Sequence, residues 1–298
     1  MPRIIPIPTN VGFISSDFSL NRTLGVTVSP FSGKQRTQEY DATYWTGRVT
    51  LAPMRRSQAV EWQSFLTALE GQKNYFKMVD PDGKVPRGTY FGERFLGDVR
   101  VDSGSNVASV ALSFSSSTNT ITAGTAIFDG LVVSDYFTVS GANNEENNQT
   151  FKIVTKNAND LSVTVDHALT AEANTAGCKV RQNVKGSSAL SLKASQTNVY
   201  GTVKAGDYLA IYNATATSFD NIVQLVMATG DAVITDTTTD LYSIPIQPKL
   251  RQNLTDDHVV GFGTQYNRGL FRLDSNNADW SANQNSIYNI VFSFIEVM

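Results

Sequence analysis

The spacing of apolar and polar residues divides the stretch from residue 40 to residue 82 into a strand, a helix and a second strand. Large apolar residues of one parity, Trp45, Val49 and Leu51, predict a half-buried strand from Tyr40 to Leu51. The next apolar residues fall at i, i+3, i+4 and i+7, which is the stripe of an amphipathic helix. This stripe consists of Trp62, Phe65, Leu66 and Leu69.

The ends of these elements carry the expected signals. Pro53 closes the first strand, because proline cannot donate to a sheet ladder. Ser57 is the predicted helix N-cap, and Gly71 stands where a left-handed residue ends a helix. The β-prone run Tyr75–Val79 follows and is closed by the turn Asp80–Gly83. A helix with two aromatic residues on one stripe needs a sheet to cover.

The preceding residues 1–39 are predicted to be extended. Leu24–Ser29 indicates a strand, and Pro30–Gln35 indicates a turn or hairpin tip. Residues 83–95 hold three glycines and a proline and predict an irregular loop.

From about residue 98 to residue 260 the pattern becomes one of short alternating runs divided by polar turns, which is typical of all-β structure. This region contains an internal repeat. Residues 131–139 resemble residues 203–211, and each copy has an Asp-Tyr pair that begins at Asp135 or Asp207. Three further pairs of segments match, namely 151–154 with 223–226, 163–169 with 244–250, and 178–180 with 258–260. We interpret the region as two copies of a small β module.

After Gly261 the pattern changes again. Gly269–Leu273 predicts a short strand, and Ser286–Val297 predicts a long one. One face of the long strand is nearly all apolar and is assigned to the core: Tyr288, Ile290, Phe292, Phe294 and Glu296. Such a strand needs a partner, and the sheet beneath the helix suits it best. We therefore predict a discontinuous domain of residues 1–97 and 261–298, with inserted β modules at 98–184 and 185–260.

The composition excludes several classes of protein. Hydrophobic residues make up 41% and aromatic residues 10% of the chain, enough for packed cores. The net charge of −3 gives no basic field for nucleic-acid binding. The lone Cys178 excludes an intramolecular disulfide and a cysteine-based zinc cluster. No stretch is apolar enough to predict a membrane span or a signal peptide, so we expect the mature chain to begin at or next to Met1.

Few residues suggest chemistry, and we predict no catalytic, metal or cofactor-binding residue. The two histidines, His167 and His258, occupy similar late positions in the repeats and are expected to be structural or exposed. Asp135 and Asp207 are candidates for paired catalytic carboxylates. Their equivalent positions in the repeat favour a role as turn caps instead.

Other polar clusters have an ordinary interpretation. Asp231, Asp236 and Asp240 carry ligand oxygens for calcium, but their spacing favours a polar hairpin tip. Residues 143–148 are expected to be an exposed loop. Arg55 and Arg56 precede the helix, where they suit either a bound anion or the carboxylates of a neighbouring chain.

The pattern of packing residues resembles the distal tail protein of long-tailed bacteriophages and its relatives in gene-transfer particles. The first part of the resemblance is Trp45, Val49, Leu51 and Pro53, the helix from Trp62 to Gly71, Phe76, and Asp80-Pro81. The second part is Gly269–Leu273, Trp280, Tyr288, Phe292–Phe294 and Glu296. A third part lies in the second repeat, at Ala205–Leu209 and Pro248–Arg251. The first repeat fits the family pattern less well.

The resemblance implies a mainly β fold, a tail-tube-like sandwich or barrel with one packed α-helix and inserted β modules. It implies a non-enzymatic virion protein that is made in the bacterial cytoplasm and forms a ring, commonly of six copies, at the tail tip. The expected partners are other copies, the tail tube protein, the tail hub or tip, and receptor-binding proteins. DNA would pass through the lumen as cargo, and this chain would insert into no membrane.

Three alternatives stay open. One is a tail tube or another minor tail protein, for which the large insertion is unfavourable. Another is a pair of carbohydrate-binding modules, in which aromatic residues stack on sugar rings. The candidates for that role are Tyr200, Tyr212, Tyr242 and Trp280. The last alternative is a hydrolase, for which we find no credible site.

Overall fold

The structure of this 298-residue chain is a computed structural model. The residues that it describes are 2–89, 99–101, 110–128, 131–194, 201–213, 221–234, 241–254, 258–263 and 266–298. Strands account for 50% and helices for 7%, which confirms the predicted mainly β fold. Contacts divide the chain into two compact units, Met1–Val85 with Asn267–Met298, and Pro86–Tyr266. The boundaries predicted for the discontinuous domain lay nearby, after residues 97 and 260.

In chain order, the first elements are β1 (Phe13–Val28), β2 (Gln35–Leu51), β3 (Met54–Arg55), α1 (Arg56–Ala68) and β4 (Phe76–Met78). Next come β5 (Val99–Val101), β6 (Val110–Ser115), β7 (Thr120–Ala123), β8 (Tyr136–Ser140), a 3₁₀ turn (Glu145–Asn147), β9 (Thr150–Lys156), β10 (Ser162–Val165) and β11 (Glu172–Arg181). Then follow β12 (Ala189–Ala194), β13 (Gly201–Val203), β14 (Tyr208–Asn213), β15 (Ile222–Ala228), β16 (Ala232–Ile234), β17 (Leu241–Gln247) and β18 (His258–Gly261). The last are β19 (Gly269–Leu273), β20 (Trp280–Ala282) and β21 (Ile287–Glu296).

The first unit is built on one antiparallel sheet in the order β1-β2-β21-β19-β4, with β3 and β20 also paired to β21. The predicted pairing of the two ends of the chain is confirmed, since Gly47 of β2 lies opposite Phe294 of β21. The predicted core face of β21 is confirmed for four of its five residues, and the fifth, Tyr288, is half-buried. Ile290, Phe292, Phe294 and Glu296 are buried, and their neighbours on the other face are not.

Helix α1 covers this face of the sheet with its predicted stripe. Trp62 and Leu69 are fully buried, and the ring centroids of Trp62 and Phe292 lie 6.2 Å apart. Phe65 packs edge-on against Phe76, with centroids 5.7 Å apart. The core of this unit is therefore an aromatic cluster between the helix and the sheet.

The ends of the helix differ in detail from the prediction. Ser57 lies within the helix and is not its N-cap; that position is Arg55, which makes no side-chain capping bond. The helix is positioned instead by the strand β3 directly before it, where Arg55 pairs with Ile287. At the other end Gly71 has the predicted left-handed conformation, with φ +69°, but the turn begins one residue earlier at Glu70.

The second unit contains two closed six-stranded barrels. The first barrel has the order β10-β7-β6-β11-β8-β9, and the second has the order β12-β17-β15-β14-β18-β5. Both orders describe one topology, in which β8 corresponds to β14, β9 to β15, β10 to β17 and β11 to β18. The second unit therefore does contain two copies of one β module, and each copy has its own apolar core.

The boundary predicted between the two modules is wrong at one strand. Val99–Val101 was assigned to the first module, but this strand pairs with β12 and β18 of the second barrel. The first barrel, which runs from β6 to β11, is thus inserted between two adjacent strands of the second barrel. An isolated three-residue strand has too little periodicity to reveal its partner.

The register of the repeat is also partly wrong. In the first barrel Phe137 pairs with Phe151, and in the second Leu209 pairs with Val226. Phe151 therefore corresponds to Val226 rather than to Val223. The ends of the repeat are matched as predicted, because Val180 pairs with Val139 while Val260 pairs with Ile211.

Candidate assembly surface

The hairpin of β1 and β2 extends well beyond the rest of its sheet. β21 pairs with β2 only from Thr46 to Thr50, whereas β1 and β2 pair with each other as far as Val28 and Gln35. We name residues 22–41 the arm. Its tip is a tight turn in which the Ser29 N–H donates to the Lys34 carbonyl and Gly33 has φ +64°. The predicted strand and hairpin tip in this region are confirmed.

One side of the arm carries an exposed apolar stripe. We name Leu24, Val26 and Val28 the stripe; they are 48%, 58% and 51% exposed. The β1–β2 register is irregular between Arg22 and Leu24 and regular from Leu24 to Val28. Strand alternation within that regular part places the three stripe residues on one face of β1.

The tip of the arm carries a further exposed apolar side chain. Phe31 is 99% exposed, and Lys34 and Arg36 follow it in the sequence. Full burial of a Val, Leu or Phe side chain is worth about 1.5–3 kcal/mol. Four such residues on one arm are a large exposed apolar surface. The sequence predicted this hairpin but gave no sign that its apolar side would be exposed.

The edge of the sheet is exposed on the same hairpin. In the described part of the chain β1 pairs with β2 alone, so this 16-residue strand is an edge strand of the sheet. The strand has only two charged residues, Asp17 and Arg22. Natural proteins usually shorten, charge or cover such edges, because they pair readily with other chains.

The base of the arm is fixed by a buried acid. Glu296 is 2% exposed, and its carboxylate accepts a hydrogen bond of 3.0 Å from the backbone N–H of Trp45. The β2–β21 ladder ends at the next residue, Thr46. The carboxylate thus satisfies a buried backbone group at the point where the arm leaves the sheet.

The two arginines at the start of the helix are accessible. Arg55 and Arg56 are exposed, and neither forms an ion pair with any described residue. The first turn of α1 has no acidic residue. Both predicted interpretations, an anion or the carboxylates of a neighbouring chain, stay predictions.

Asp135 and Asp207 cap equivalent turns of the two barrels. Asp135 accepts a hydrogen bond of 2.9 Å from the Val132 N–H, and Asp207 accepts one of 2.9 Å from the Lys204 N–H. Both side chains are buried. Burial raises the pKa of Asp135, and this effect exceeds that of its hydrogen bonds, including one from the Ser188 hydroxyl. Asp135 and Asp207 therefore cap turns, and the two turns belong to separate barrels.

A third carboxylate organises the loop at residues 143–148, which is not simply exposed. Glu172 accepts hydrogen bonds from the backbone N–H groups of Asn143 and Asn144 and from the side chains of Asn147 and Thr175. Asn147 is fully buried. Partial burial opposes ionisation of Glu172, but these donors lower its pKa to about 2. The sequence contained no local signal for the contact between Glu172 and this loop, because the loop partners are 25 to 29 residues away.

The remaining candidates are dispersed. His167 is exposed and bonds to Asp166, while His258 is buried in β18. Asp231 bonds to Lys204, which lowers its pKa, and Asp236 and Asp240 lie outside the described residues. No group of three potential metal ligands occurs among the residues that the structure describes.

Of the four aromatic residues predicted as sugar-binding candidates, the structure describes the side chains of two. Tyr212 is buried, and its hydroxyl donates to the Tyr266 carbonyl at 2.5 Å. Trp280 is 43% exposed. Tyr200 lies outside the described residues, as does the side chain of Tyr242. The predicted loop at 83–95 is described only as far as residue 89.

Comparisons with known proteins give no family. No protein-family model matches the sequence, and no curated protein is significantly similar to it. In the described part of the chain no helix is both long enough and apolar enough to cross a membrane.

Proposed function

We propose that this protein is a structural component of a bacteriophage tail tip, where several copies form a ring that joins the tail tube to the tip. The observation that carries the proposal is the apolar stripe on the arm. Its residues share one face of β1, and the described part of the first unit leaves each of them about half exposed. A neighbouring copy of the chain is the partner proposed to cover them.

In this proposal the arm packs against a different surface of the next copy. Such a heterologous contact, repeated from copy to copy, forms a ring when the rotation between copies closes. The unpaired edge of β1 lies on the same hairpin and offers backbone groups to the same neighbour. The stripe and the edge together supply both apolar area and directional hydrogen bonds.

The resemblance to distal tail proteins supports the rest of the proposal. The residues that carry it include Trp45, Trp62 and Phe292, which form the core of the first unit. In this proposal six copies form the ring, and the tail tube and hub proteins bind on either side of it. A net charge of −3 suits a channel through which DNA passes, because a basic lumen would retain DNA.

The two barrels of the second unit are proposed to attach other tip or receptor-binding proteins. In this role the protein has no catalytic activity. Asp135 and Asp207, the strongest candidates for paired catalytic carboxylates, cap turns in separate barrels, which favours a non-enzymatic function.

The experiment is to measure the mass of the full-length protein by light scattering over a wide concentration range, with negative-stain images of the same samples. We expect a concentration-dependent species of about six copies that images as a ring. Monomers at every concentration, both alone and with tail tube protein, would contradict the proposal. A cryo-EM map of particles distinguishes the alternative of a tube subunit, which predicts many stacked rings instead of one.

A further inference from the structure

The face of the first sheet opposite the helix holds an open polar groove of about 430 Å³. Strands β1, β2 and β21 form its floor, and the turn after β19 forms one end. The side chains that matter most are Asp17, Asn21, Tyr44, Arg48, Asp274 and Ser293. None of them belongs to the aromatic core or to the stripe on the arm.

The charges in the groove are not used within the sheet. Asp17 and Arg48 lie directly opposite each other in the β1–β2 register, where opposite charges ordinarily pair. Both side chains are exposed, and neither makes an ion pair with any residue that the structure describes. A carboxylate and a guanidinium therefore border the same groove with their hydrogen-bonding atoms available.

The neutral groups of the groove are ordered. The side-chain amide of Asn21 donates to the Thr46 hydroxyl at 2.8 Å, which fixes both residues across the strand pair. Tyr44 lies opposite Asn21 and is half-buried, so part of its ring faces the groove. A half-buried ring among fixed polar groups offers an apolar face and a hydroxyl together.

The chemistry of these groups selects a class of ligand. The carboxylates of Asp17 and Asp274 and the guanidinium of Arg48 together give the groove a formal charge of −1. This charge disfavours binding of phosphate, sulfate and other anions. Two carboxylates without a third ligand do not make a metal site. Sugar hydroxyls both donate and accept, so they suit a site that combines carboxylates, a guanidinium, hydroxyls and an aromatic face.

We infer that this groove binds a neutral carbohydrate. Asp17 and Asp274 accept hydrogen bonds from sugar hydroxyls, Arg48 donates to sugar oxygens, and the Tyr44 ring packs against the apolar side of a sugar. This glycan site is separate from ring assembly and belongs to the first unit rather than to the repeated barrels.

The test is binding of the full-length protein to an array of neutral and acidic oligosaccharides, followed by saturation-transfer NMR with the retained glycans. We expect retention of neutral glycans. Arg48→Ala and Tyr44→Ala should each weaken binding by about tenfold, as expected for loss of a charge-assisted hydrogen bond or a stacking face. Ser19→Trp, which places a large ring in the groove, should abolish it.

The matched control is Trp280→Ala, which removes an exposed aromatic side chain that does not line the groove. It should bind as the wild type does, and thermal melts should show that all variants are folded. The inference is overturned if no glycan is retained, if only acidic glycans are retained, or if binding survives Ser19→Trp. It is also overturned if Trp280→Ala loses binding while the groove variants keep it. Each outcome is independent of whether the protein forms rings.

Discussion

The carboxylate of Glu296 accepts a hydrogen bond from the backbone N–H of Trp45, a residue 251 positions earlier in the chain. This bond joins the last strand of the protein to the strand that leads into the arm. It shows why an acid occupies the otherwise apolar face of β21. The acid serves a backbone group that the adjacent ladder does not reach.

Replacement of Glu296 tests this role. Glu296→Ala should lower the free energy of unfolding of the first unit by about 1–3 kcal/mol, since it leaves a buried N–H without its partner. Glu296→Gln keeps an acceptor oxygen and should lower the free energy of unfolding by a smaller amount. Urea denaturation of both variants gives the comparison. An alanine variant as stable as the wild type would show that the hydrogen bond contributes little.

The aromatic cluster should dominate the stability of the first unit. Trp62→Ala or Phe65→Ala leaves a large cavity between the helix and the sheet and should cost about 3–5 kcal/mol. Val60→Ala, on the exposed side of the same helix, is the control and should have little effect. Thermal melts of the three variants test the packing. A shift of less than two degrees for both aromatic variants would refute it.

The nested barrels predict which deletions the protein tolerates. If residues 104–181 are replaced by a short Gly-Ser linker, β5 and β12 become a simple hairpin and the second barrel should keep its fold. A deletion of residues 98–181 also removes β5 and should open that barrel. Circular dichroism and amide hydrogen exchange distinguish the two. If the amides of β14 and β15 were equally protected from hydrogen exchange in both variants, the nested topology would be contradicted.

The stability of the first barrel should depend on pH through Glu172. The pKa of this residue is about 2 in the folded protein against an ordinary value of 4.5. Because the folded state holds the ionised form, the contribution is complete above pH 4.5 and is lost as the pH falls towards 2. Glu172→Gln should therefore destabilise the protein by roughly 1–2 kcal/mol at pH 7 and much less near pH 2. A pH-independent difference between variant and wild type would contradict this assignment.

The sequence predicted the elements whose patterns are long and one-sided. The helix stripe and the face of β21 indicated a shared sheet, because an apolar face must be covered. The sequence did not predict the partners of β5, because a strand of three residues has too little periodicity. The repeat register was wrong because Ile222, Val223, Leu225 and Val226 give similar apolar matches at either alignment.

The exposed stripe was beyond sequence analysis for a physical reason. The alternation of Leu24, Val26 and Val28 is the same whether their own core or another chain covers them. The structure distinguishes these cases, since it shows where β21 and the helix end relative to the arm. The groove also depends on β21, which is distant in sequence from β1 and β2.

The stripe itself provides the most direct test of ring assembly. Val26→Glu places a charge on the stripe, whereas Thr27→Glu places the same charge on the opposite, equally accessible side of the same strand. We expect sedimentation velocity to show monomers for Val26→Glu and the wild-type ring for Thr27→Glu, with both variants melting as the wild type does. Rings formed equally well by both variants, or by neither, would contradict the proposal that the stripe joins one copy to the next.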